Sequence, residues 1–158
     1  AEAQPPLGLE PTTWPALLIA TAEALDDEMA SRIRRHQVDR GPDWETAEVP
    51  VEVAEWLRAK GRGYRGIVLD CLTLWLSNLR ERGMTDEAVS SQVSGLIAAA
   101  RTSRARVVMV SNELGMGIVP PEAGSRRFRD LMGQTNQRVA AAVDEVYLVT
   151  AGIPQRLK

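Results

Sequence analysis

Gly66-Ile67-Val68-Leu69-Asp70-Cys71-Leu72-Thr73-Leu74-Trp75-Leu76-Ser77-Asn78-Leu79-Arg80-Glu81 changes character in its middle. Gly66 to Asp70 is an apolar run without polar alternation, which reads as a strand buried on both faces, whereas Thr73 to Glu81 carries a helical pattern. Outward from this unit the same strand type recurs at Ala16 to Thr21, Arg106 to Ser111 and Val146 to Thr150. Helical patterns fill the intervals: Leu25 to His36, Val51 to Lys60 with Pro50 in its first turn, Asp86 to Ser103, and Ser125 to Val143. Leu25, Met29 and Ile33 stand four apart, and Asp26 and Asp27 suit the positive start of their helix. Such alternation predicts an α/β fold, a mostly parallel sheet flanked by helices and joined by right-handed crossovers.

The 158 residues suit one nucleotide-binding α/β domain spanning 1–158. A chain this long buries roughly 68–70% of its unfolded surface, enough for a core of its own. With 44% hydrophobic and 25% charged residues the composition is that of a globular protein. No apolar stretch approaches the ~20 residues of a membrane span, and no signal peptide is evident, so a cytoplasmic protein is expected. The single cysteine, Cys71, cannot close an internal disulfide and reads as a small buried hydrophobe. Nineteen basic against 21 acidic residues, net −2, lack the basic excess of a nucleic-acid-binding protein. Trp14, Trp44, Trp56 and Trp75 read as packing anchors.

Parallel sheets bind ligands beyond the carboxyl ends of their strands, and polar residues gather at those ends here: Thr21, Asp70, the trio Ser111, Asn112 and Glu113, and Thr150. Each alone could equally cap the next helix. Glu28, Arg32 and His36 lie four apart on one helical stripe, and Arg34, Arg35 and Arg40 add charge around the only histidine. A solvated helix face is one reading of that cluster, and of Arg126, Arg127 and Arg129. Phosphate recognition is the other, because guanidinium groups grip phosphate oxygens in pairs. Neighbouring cations also disfavour the imidazolium, which leaves a ring nitrogen free to attack phosphorus. Gly115 and Gly117 fit either a close backbone approach to a ligand or a turn ahead of Pro120 and Pro121.

Several ordered motifs resemble one family. Leu-Asp-Asp-Glu-Met-Ala at 25–30, Arg-Ile-x-x-His-x-x-x-Arg at 32–40 and Trp-x-Thr-Ala-Glu at 44–48 are followed by Val-Ser-Asn-Glu-Leu-Gly-Met-Gly-Ile-Val-Pro at 110–120. Phe-Arg-Asp-x-x-Gly-x-x-Asn-Gln at 128–137 and Ala-Gly-Ile-Pro at 151–154 complete the series. Together they resemble the cobinamide kinase and cobinamide-phosphate guanylyltransferase family of cobalamin biosynthesis, over nearly the whole chain from Ala16. The resemblance implies a RecA-like phosphate-loop nucleoside-triphosphatase fold and a bifunctional transferase. Such an enzyme phosphorylates adenosylcobinamide, then moves GMP from GTP onto adenosylcobinamide phosphate through a GMP-histidine intermediate. It implies that His36 accepts GMP, that Ala20, Thr21, Ala22, Gln37, Val38, Asp39 and Arg40 line the GTP site, and that Glu48 contacts the nucleotide. Arg32, Asn112, Glu113, Arg126 and Arg129 fall near that site. Asp70 matches an acidic strand-end position, suited to Mg²⁺ or to capping the helix after it. The implied substrates are adenosylcobinamide, adenosylcobinamide phosphate and GTP, with ATP an alternative donor for the kinase step, and the implied assembly is a homotrimer.

The family's Gly-x-x-x-x-Gly-Lys-Ser loop does not occur in these residues, whose only lysines are Lys60 and Lys158. Ala1-Glu2-Ala3-Gln4 is similar to the stretch that follows that loop, so the first strand and the loop are expected upstream of Ala1. A central strand removed from such a sheet leaves neighbours with unpaired backbone. The competing reading is a non-catalytic nucleotide-binding or oligomer-forming module that has lost its loop. A generic phosphate-loop motor gives no reason for a histidine among arginines.

Overall fold

The computed structural model describes residues 16–24, 26–39 and 44–158, and of residues 32, 36, 37 and 39 it describes the backbone alone. The chain divides into two compact units, one ending at Asn112 and the other running Glu113–Lys158.

In the first unit the order is β1 (Ala16–Ala20), α1 (Asp27–Asp39), β2 (Trp44–Glu48), α2 (Val53–Lys60), β3 (Gly66–Asp70), α3 (Leu72–Glu81), α4 (Asp86–Thr102) and β4 (Arg106–Met109). The strands form one parallel sheet in the order β2-β1-β3-β4. Leu17, Ile19, Ile67 and Leu69 are at most 1% exposed, and their neighbours Leu18 and Val68 are buried on the opposite face. This is the burial that an unalternating apolar run demands. Helices supply the cover through Leu57 of α2, Leu72, Trp75, Leu76 and Leu79 of α3, and Val89, Val93 and Leu96 of α4, all buried. Each fully buried aliphatic side chain contributes about 1.5–3 kcal/mol. Helix α1 starts at Asp27, two residues later than the pattern suggests, and Asp26 caps it by accepting the Met29 amide at 2.7 Å. Helix α2 begins at Val53, so Pro50 precedes it instead of occupying its first turn.

Two expectations need correction. No strand is predicted at Trp44 to Glu48, yet β2 forms there, in register with β1 from Ala16↔Trp44 to Ala20↔Glu48. Among the described residues it is an edge strand, so Glu45, Thr46 and Glu48 stand in solvent and no apolar run is required of it. Val146 to Thr150 does not extend the parallel sheet. In the second unit, β5 (Tyr147–Thr150) pairs antiparallel with β6 (Ile153–Arg156), after a 3₁₀ turn at Leu114–Met116 and the long helix α5 (Ala123–Ala142). Ala151 and Gly152, at φ 51° and 78°, close the hairpin in the two-residue turn whose twist matches paired strands. Thr150 therefore leads into this turn and is not an end of the four-stranded sheet.

Candidate active site

The carboxyl ends of three adjacent strands bring Glu48, Ala20 and Asp70 into register, Ala20 facing both. With parallel strands ~4.8 Å apart, Glu48 and Asp70 stand on the order of 10 Å from each other across β1. Glu48 is exposed and Asp70 half-buried, and no side chain among the described residues hydrogen-bonds the Asp70 carboxylate. Asp70 does not cap α3; Cys71 holds the N-cap position, without a side-chain bond.

Thr21 lies directly beneath this edge, wholly buried. Its hydroxyl donates to the Cys71 carbonyl at 2.8 Å and accepts the Cys71 amide at 2.9 Å, so both bonds go to the residue that follows a cis Asp70–Cys71 peptide. Its own amide donates to the Asp70 carbonyl at 3.0 Å. Every polar atom of the Thr21 side chain is therefore spent on holding the end of β3 against the end of β1. Cys71 is buried and free, as its lone occurrence suggests. On the other side of β3, the Leu72 amide donates to the Val110 carbonyl at 2.8 Å, and Asn112 donates from Nδ2 to Thr73 Oγ1 at 3.0 Å. Asn112 thus ties the end of β4 to the first turn of α3.

Ala22 follows at the rim, half-buried, and Glu23 comes next. The Glu23 carboxylate meets the Arg82 guanidinium through two bonds of 3.0 and 2.9 Å. That pairing holds the Glu23 carboxyl below its ordinary range and raises Arg82 further above its own. Asn78, 4% exposed, donates both amide hydrogens, one to the Thr21 carbonyl at 2.7 Å and one to the Pro50 carbonyl at 2.9 Å. Trp75, fully buried, donates Nε1–H to the Val51 carbonyl at 2.8 Å. Trp75 is buried as its reading as a packing anchor expects, whereas sequence reasoning missed Glu23, Asn78 and Arg82. The available signal was the spacing of Trp75, Asn78 and Arg82, three and four apart on one face of α3 and just past its end.

The backbone of α1 carries Arg32, His36, Gln37, Val38 and Asp39, with His36 in the last turn and Val38 80% exposed. The side chains of Arg32, His36, Gln37 and Asp39, and Arg40 entirely, lie outside the described residues. Glu113, Arg126 and Arg129 belong to the second unit. There the Glu113 carboxylate accepts the Gly115 amide at 3.1 Å and Asn136 Nδ2 at 3.4 Å. A Cβ on Gly115 would sit 2.8 Å from that carboxylate, so the glycine admits the chain's own Glu113. Arg126 donates to the carbonyls of Pro120 and Pro121, and Arg129 to that of Gly115 at 2.5 Å. Both arginines pin the loop ahead of α5. Nη1 of Arg129 is buried and has no partner among the described residues.

Among the described residues no three carboxylate, histidine or cysteine side chains converge as a metal cluster, and no helix is long and apolar enough to cross a membrane. The family model described as cobinamide kinase / cobinamide phosphate guanyltransferase matches residues 8–157. The bifunctional adenosylcobalamin biosynthesis protein CobU of Salmonella typhimurium is 40% identical over 154 residues, covering 90% of this chain and 85% of its own. Its namesake from Escherichia coli K12 is 38% identical over the same shares. The bifunctional protein CobP of Pseudomonas aeruginosa is 37% identical over 142 residues, 89% of this chain and 80% of its own.

Proposed function

The chain belongs to the cobinamide kinase / cobinamide phosphate guanyltransferase family of transferases, and on that premise we propose that it passes GMP through His36. A neutral imidazole nitrogen of His36 attacks the α-phosphorus of GTP; the N–P bond forms as the bond to the bridging oxygen breaks, and pyrophosphate leaves. A phosphate oxygen of adenosylcobinamide phosphate then attacks the same phosphorus. The N–P bond breaks, giving adenosylcobinamide-GDP and free imidazole. The preceding step, transfer of a γ-phosphoryl group from ATP or GTP to adenosylcobinamide, belongs to the same proposal. A reaction that consumes GTP is assigned to the cytoplasm.

The observation that carries the reading is the alignment of Glu48, Ala20 and Asp70 at one sheet edge, beside the loop that leads into the His36 helix. Ala20, Ala22 and Glu48 would line the nucleotide there, with Gln37, Val38, Asp39 and Arg40 following His36. Thr21 supports them from below, since its hydroxyl is already committed. Asp70, half-buried and without a hydrogen-bonding side chain among the described residues, suits Mg²⁺, which takes one or two carboxylates and completes its shell with water and phosphate. When bound, the ion would neutralise phosphate charge. Arg32 and Asn112 would stand at the periphery; within the second unit, Nη1 of Arg129, buried and without a partner among the described residues, keeps one donor for an anionic group. Met116, Ile118 and Val119 on one loop, and Val149, Ile153 and Leu157 on the hairpin, expose apolar surface that supports the homotrimer, to be read by sedimentation.

A pulse-chase tests the transfer. Protein loaded with α-labelled GTP and freed of nucleotide should release its label to adenosylcobinamide phosphate. Label that stays on the protein, or that leaves equally fast without acceptor, contradicts the second half of the proposal.

A further inference from the structure

We propose that Asn78 and Arg82 are positioning residues for the nucleotide rim: from one side of α3 they hold the loop after β1 and the loop after β2 at the spacing that GTP needs. The inference rests on the rim being the GTP site. Asn78 spends one amide hydrogen on each loop, through the Thr21 and Pro50 carbonyls. Arg82 grips the first loop again at Glu23, and its Nη1 also donates to the Asn78 carbonyl at 3.2 Å, so the two holds share one anchor. Trp75 fixes the second loop one residue further on. Ala20 to Ala22 lie on the first loop and its strand end, and Glu48 runs straight into the second.

The arrangement has the character of a positioning device. A helix stabilised for its own sake needs neither both hydrogens of a buried amide on two separate loops nor a two-bond guanidinium clamp on a half-exposed glutamate. An amide is also the side chain suited to this place, because the two groups it meets are carbonyl oxygens and demand two donors. Loss of the partly exposed Glu23–Arg82 clamp removes no apolar side chain from the strand and helix cores.

Charge reversal at the surface pair reads this without disturbing the core. Glu23→Arg and Arg82→Glu, each alone, set like charges face to face and should raise the KM for GTP in GMP-adduct formation about fivefold, with kcat changed less than about twofold. The double variant restores the pair in reverse and should return KM to within about twofold of wild type. Asn78→Asp, of equal volume, turns a carboxylate on two carbonyls and should raise KM about tenfold or more. Single reversals that leave KM unchanged overturn the inference. A double variant no better than the worse single also overturns it, since the Glu23–Arg82 pairing then carries none of the effect; Glu52 and Glu81 beside Arg82 keep the recovery below complete. Calorimetric GTP binding gives the same ratios without turnover. A wild type that binds GTP yet forms no adduct therefore sinks the guanylylation reading alone, and indifferent variants beside an active wild type sink this inference alone.

Discussion

Replacing Thr21 by valine tests how the sheet edge is held together. Valine keeps the shape of the side chain and removes only the hydroxyl, which accepts the Cys71 amide at 2.9 Å and donates to its carbonyl at 2.8 Å. The carbonyl keeps a second partner, the Trp75 amide at 3.1 Å, whereas the buried Cys71 amide has no other bond among the described residues. The loss is therefore one orphaned buried donor, costing about 1–3 kcal/mol. For a chain of this length, each kcal/mol lowers Tm by about 2–4 °C, so Thr21→Val should melt roughly 2–12 °C below wild type. Thr21→Ser keeps the hydroxyl and loses one methyl, costing about 0.8 kcal/mol. Scanning calorimetry with matching urea titrations would rank wild type, serine and valine in that order. Valine within about 0.5 kcal/mol of wild type, or serine as damaging as valine, would refute the argument that the hydroxyl locks β3 to β1.

Because Arg82 depresses the Glu23 carboxyl below its ordinary value of 4.5, the pair stabilises the fold above that pH and loses its effect as pH falls through the folded-state value. The gap in urea midpoint between wild type and Arg82→Ala should accordingly be present near pH 7 and narrow as pH falls below 4.5. Asp70→Asn should raise the Mg²⁺ concentration needed for half-maximal GMP-adduct formation by about 10-fold or more, while the melting temperature stays near that of wild type. Gly152→Ala forces a side chain into φ 78° at the hairpin turn and should cost about 1–2 kcal/mol, visible as faster amide exchange across β5 and β6.

The central strands were legible because burial on both faces leaves one chemical option, an unbroken apolar run, and Gly66–Asp70 and Ala16–Ala20 have it. The edge strand β2 was not, since Trp44-Glu45-Thr46-Ala47-Glu48 owes its conformation to backbone pairing with β1 and not to its own side chains. Val146 to Thr150 announced a strand but not its partner; Ile153-Pro154-Gln155-Arg156 carries no strand pattern, and only the Ala151-Gly152 turn signals the hairpin. At the rim, Asp70 and Thr21 could be found by position, at the end of an apolar run. Asn78 and Arg82 could not, because their partners lie 28 to 59 residues away and their roles exist only once the sheet has formed. Motifs carried the expectation of the chemistry, and the paired sheet supplied the neighbours.

Intact-mass analysis of the protein after incubation with GTP and Mg²⁺ bears most directly on the role of His36. The wild type should gain one GMP, retained at neutral pH and lost in acid, and His36→Ala should gain none. An adduct of the same mass on His36→Ala would contradict the assignment of the nucleophile, and an unmodified wild type would contradict guanylylation through the protein altogether.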